Sequence, residues 1–122
     1  MTEIPHDKRD QLEQITSGLL QGEQVYAVYD CTGAGTGFVG LTDKRVIMQD
    51  NSFVGKKSAL TSIPYAQIRS VSVVSNKSWG GGFFSSSAIA LDVGGVVHEA
   101  EFRGEQKARH VHDLILWKLL GA

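Results

Sequence analysis

The chain carries one cysteine and two prolines in 122 residues. A lone Cys31 excludes an internal disulfide framework and suits a reducing compartment. No apolar run approaches the roughly 18 residues that a membrane-crossing helix requires. The opening MTEIPHDKRDQLEQ lacks the apolar core of a signal peptide, so the expected location is the cytoplasm. A basic excess is missing too. Twelve Lys and Arg against thirteen Asp and Glu leave a net charge of −1, which makes no electrostatic case for a nucleic-acid partner.

The residue types that carry chemistry are equally sparse. There is no GxSxG elbow and no paired-carboxylate motif. His110 and His112 are two apart in a helical pattern and so point to different faces, while His98 stands alone in a strand pattern. With one cysteine, no zinc cluster can be assembled from them. As a nucleophile Cys31 would need a base that the sequence does not place, and a small packed thiol is the simpler reading. No catalytic, cofactor-binding or metal-binding residue is expected.

What is present is an ordinary globular composition, 42% hydrophobic and 20% charged, at a length that suits one domain over residues 1–122. The charges are unevenly spread. Residues 1–43 hold Lys8 and Arg9 against seven acids, whereas residues 44–77 hold six bases against Asp50 alone. The basic centre could form an anion-binding face, but opposite charges paired across neighbouring strands explain it more simply.

Periodicity divides the chain into helix, strands and helix. Pro5 to Gln21 reads as an N-terminal helix, with Pro5 in its first turn, Asp7 and Asp10 near its positive end, and Leu12, Ile15 and Leu19 on one face. Residues 24–102 then read as seven strands: 24–30, 37–42, 45–49, 57–63, 69–75, 84–93 and 96–102. All are rich in β-branched and aromatic residues and separated by short turns, the pattern of an antiparallel barrel or sandwich. Strands do not alternate with long helices, so a parallel βαβ sheet is not expected. Val93-Gly94-Gly95-Val96 has the two glycines that a type I′ hairpin turn demands. Glu105 to Leu120 reads as a second helix, with Glu105 and Arg109 paired at i,i+4, a stripe of Ala108, Val111, Ile115 and Leu119, and Gly121 as its stop. Leu114, Leu116, Trp117 and Leu120 widen that stripe beyond what one barrel end needs, which implies either a deeper core or contact with another subunit.

Gly35-Thr36-Gly37-Phe38-Val39-Gly40 spells GxGxxG. A dinucleotide fingerprint requires a helix directly after the glycines to receive the phosphates, and Leu41-Thr42-Asp43-Lys44-Arg45 instead turns into another strand. The glycines are therefore expected to serve a loop and a strand that runs close to other parts of the chain. Among exposed loops, NKSWGGGFFSSS (76–87) sets Trp79, Phe83 and Phe84 around three glycines. Those aromatics either anchor a partner or fold back over the barrel, with the second reading slightly preferred.

LTDKRVIMQD (41–50), followed by VGKKSALTSIPYAQIRSVSV (54–73), resembles the bacterial pleckstrin-homology domain family. The matching features are Thr42-x-x-Arg45, Gly55-Lys56-Lys57, and Ser62-Ile63-Pro64-Tyr65 with Ile68; LLQGEQV (19–25) is similar to the family's Leu-x-x-Gly-Glu lead-in. The resemblance implies a PH-like fold: a partly open barrel of two near-orthogonal antiparallel sheets, about seven strands in all, capped by a C-terminal helix and preceded by a short N-terminal one. It also implies a non-enzymatic module, and some relatives assemble into ring-shaped homo-oligomers. Thr42 and Asp43 are expected to bond backbone amides of the hairpin, Arg45 to hold a carboxylate across strands, and Pro64 to end a strand.

The leading expectation is a self-associating interaction module, with Trp79, Phe83, Phe84 and Trp117 as candidate partner-binding residues. The alternative is a peripheral membrane or anionic-ligand module using Lys44, Lys56, Lys57 and Lys77. An anionic lipid is the less favoured partner. Lipid-binding PH domains place bases in the first strand-to-strand loop, and here residues 30–36 carry none.

Overall fold

A computed structural model describes residues 3–33, 35–50, 59–76 and 86–121. The element order is α1 (Arg9–Ser17), β1 (Val25–Asp30), β2 (Thr36–Thr42), β3 (Arg45–Asp50), β4 (Ala59–Pro64), a 3₁₀ turn (Tyr65–Gln67), β5 (Ser70–Asn76), β6 (Ser86–Val93), β7 (Val96–Arg103) and α2 (Glu105–Leu119). Contacts group these into two compact units, Met1–Pro64 and Tyr65–Ala122.

The first unit is an antiparallel meander in the order β1-β2-β3-β4. Gly40 faces Ile47 and Val28 across the ladders, and Leu41 faces Val46. Residues 38–42 and 46–48 are buried without interruption, so both faces of the central strands are covered. This is why they read as apolar runs rather than as a clean alternation. Helix α1 lies over one face: Ile15 packs with Val28, Phe38 and Ile47, and Leu12, Leu19 and Val25 border that cluster. Gly40 makes the approach possible. A Cβ built there would lie 2.7 Å from Ile15 Cδ1, closer than two carbons can come.

The N-terminal helix is shorter than its pattern suggests, spanning Arg9–Ser17 instead of residues 5–21. Residues 5–7 are drawn away by β1. Val28 N donates to Pro5 O at 3.0 Å, Asp7 N donates to Val28 O at 3.2 Å, and Asp30 N donates to the Asp7 carboxylate at 2.9 Å. A segment in that bridge cannot also turn as a helix. At the other end the Thr16 and Ser17 hydroxyls donate back to Glu13 O and Gln14 O, and Gly18 ends the helix. Local side-chain bonds of this kind compete with helix continuation. Gly22, at φ +79°, serves the turn into β1 rather than the helix end.

The second unit is an antiparallel sheet in the order β5-β6-β7, with α2 packed on its strands and on the 3₁₀ turn. Ile89, Leu91, Ala100 and Phe102 form its buried floor, against which α2 sets Ala108, Val111 and Ile115. The hairpin between β6 and β7 takes the expected form. Gly94 and Gly95 both have positive φ, 61° and 90°, and Gly95 N donates to the Asp92 carboxylate at 2.9 Å. Pro64 is the last residue of β4, and Ile68 returns to the core after the 3₁₀ turn. Gly121, at φ +87°, closes the end of α2 by donating its N–H to Lys118 O.

Candidate interaction surface

Among the described residues of the second unit, five of the six exposed large apolar side chains lie towards one end of it, Val96 at 59%, Val97 at 58%, Leu116 at 37%, Trp117 at 50% and Leu120 at 77% exposure, and only Val74 lies elsewhere. The topology brings them there. Lys118 Nζ lies 5.9 Å from the centre of the Tyr65 ring and 5.6 Å from that of Trp117, which fixes the last turn of α2 beside the 3₁₀ turn. That turn leads into β5, where Arg69 N donates to Asp92 O at 2.8 Å. Ser70 then pairs with Asp92, and Asp92 with Val97. The end of α2 and the start of β7 therefore lie towards the same end of the second unit, but Val97, two residues before Glu99 in the alternation that buries Ala100 and Phe102, points to the sheet face away from α2. Scattered exposed apolar residues are unremarkable, but Leu116, Trp117 and Leu120 adjoin one another at helical spacing, and apolar neighbours around a tryptophan are typical of interaction sites.

Of the residues singled out from the sequence, Trp117 lies in this surface. Trp79, Phe83 and Phe84 fall outside the described residues, as do Lys56, Lys57 and Lys77. Lys44 is exposed in the β2–β3 turn, in the first unit. Leu116 and Leu120 belong to the over-wide apolar stripe of α2. Val96 and Val97 carry no such signal, because a valine beside a strand turn reads as core.

The polar signature Thr42-x-x-Arg45 forms a second cluster. The Glu23 carboxylate has no exposed side-chain surface and accepts four bonds. Arg45 Nε donates to Oε2 at 2.9 Å and Nη2 to Oε1 at 3.0 Å; the Thr42 hydroxyl donates to Oε2 at 2.6 Å and Leu20 N to Oε1 at 2.9 Å. Arg45 also reaches Gly18 O at 3.0 Å and Ser62 Oγ at 2.7 Å. The Thr42 oxygen accepts from Lys44 N and Arg45 N, and Asp43 bonds Gln24 through its carboxylate. The Arg45 bonds, helped by those from Thr42 and Leu20, hold the Glu23 carboxyl down at about 2 against the opposing effect of burial. A carboxylate so pinned and so enclosed neither exchanges protons near neutrality nor meets a ligand. It ties the end of α1, the turn before β1, the β2–β3 hairpin and β4 together.

The glycine pattern holds no helix N-terminus: Gly37 and Gly40 lie within β2, and Gly40 is the floor under Ile15. Burial, reinforced by Asp30 and Asp7, pushes the Cys31 thiol up to about 12, far from the range of a reactive thiolate. Among the described residues no group of three His, Cys, Asp or Glu side chains is placed to hold a metal ion, and no helix is long and apolar enough to cross a membrane.

Two sheets of four and three strands with a helix packed on the second describe a PH-like fold, and solved structures share it. A pleckstrin homology domain from Shewanella amazonensis SB2B is similar at 23% identity and a TM-score of 0.68, over 94% of this chain and 100% of that one. A DUF1696 family protein with a pleckstrin-homology domain, from Shewanella loihica PV-4, is similar at 21% identity and a TM-score of 0.58, over 90% and 92% of the two chains. No curated protein matches the chain. The bacterial PH domain family model matches residues 2–117, and the chain belongs to that family.

Proposed function

We propose that this chain is a non-catalytic interaction module that self-associates through the apolar end of its second unit. The observation that carries the reading is the exposure of Leu116, Trp117 and Leu120, neighbours at helical spacing on the last turns of α2. Covering these side chains removes apolar surface from water, and a half-exposed tryptophan is the residue type that most often dominates such contacts. The non-catalytic reading is in keeping with two groups that could otherwise do chemistry: Glu23 is enclosed by its partners, and burial pushes the Cys31 thiol up to about 12. Light scattering on the protein as it elutes from a sizing column tests the proposal. A mass above the monomer that rises with concentration supports it, and a strict monomer at high concentration overturns it. The competing reading, an anion-binding face built on Lys44, Lys56, Lys57 and Lys77, predicts co-sedimentation with anionic vesicles that weakens as salt is added. That result from an otherwise monomeric protein would replace the self-association reading.

A further inference from the structure

No further inference is drawn: the strongest candidate, the outer face of the second sheet where Ser72, Ala90 and Glu99 lie in register beside Val74, Ala88 and Glu101, is a partly exposed face with nothing in the structure to show what covers it.

Discussion

Glu23 shows how a single side chain can set the acid limit of the fold. Its carboxyl, at about 2 in the folded chain, sits below the ordinary value of 4.5. A depressed carboxyl contributes stability that is fully present above the unfolded value and is lost as pH falls from there towards 2. At about 1.4 kcal/mol per unit, the contribution is about 3 kcal/mol near neutrality. Urea unfolding of the wild type should therefore weaken by roughly that amount between pH 6 and pH 2.5 beyond the general acid effect, while Glu23→Gln should start weaker and lose much less over the same range. Parallel pH curves for the two proteins would show that Glu23 is not the group responsible. At Cys31 the expected outcome concerns reactivity. An aromatic disulfide reagent at pH 8 should label the native protein far more slowly than the urea-unfolded one, because the thiol is protonated and covered. Comparable rates would contradict its burial. The Thr42-x-x-Arg45 motif picks out Arg45 as a carboxylate holder. Which carboxylate it holds was not readable, because Glu23 lies 22 positions away and only the folded α1–β1 turn brings it near.

At the scale of elements, the seat of α1 on β2 is the most testable contact. Gly40→Ala would place a Cβ 2.7 Å from Ile15 Cδ1, so helix or strand must shift, at a cost of about 1–3 kcal/mol. Ile15→Ala alone should cost about 2–5 kcal/mol through the cavity it leaves. Because the two residues occupy the same space, the double variant should lose clearly less than the sum of the singles in denaturant unfolding. Additive losses would mean that the two do not touch. The GxGxxG pattern illustrates what the sequence alone leaves open here. That its glycines serve a close approach was legible from the strand that follows them, but the partner, a helix side chain 25 positions earlier, was not. The over-long α1 has a similar origin. Pro5, Asp7 and Asp10 form a sound helix-start pattern, yet backbone bonds to Val28 hold residues 5–7 beside β1. Local preference lost to a tertiary pairing. The β6–β7 hairpin was fully legible because Gly94 and Gly95 answer a purely local demand for positive φ.

For the whole molecule, strand count, strand order along the chain and both helices follow from periodicity and turn residues, and the PH-like fold follows from the motifs that link them. The exposed apolar end of the second unit was only half legible. The surplus of apolar residues on α2 announced it, since a helix that packs one stripe has no use for Leu116, Trp117 and Leu120 as well. Val96 and Val97 reach the same end of the unit only through the register that pairs Val97 with Asp92 and Asp92 with Ser70, just after the turn that Lys118 touches. Trp117 is half exposed and Leu120 77% exposed, so polar replacements at these two should leave the fold intact. Trp117→Ser and Leu120→Ser should change the unfolding midpoint little, each within about 0.5–1 kcal/mol of wild type. The decisive measurement is sedimentation velocity on the wild type and the Trp117→Ser/Leu120→Ser double variant over a hundredfold range of concentration. Self-association through the apolar end predicts a wild-type sedimentation coefficient that rises with concentration and a double variant that stays monomeric throughout. A wild type that remains monomeric, or a double variant that assembles as the wild type does, would contradict it.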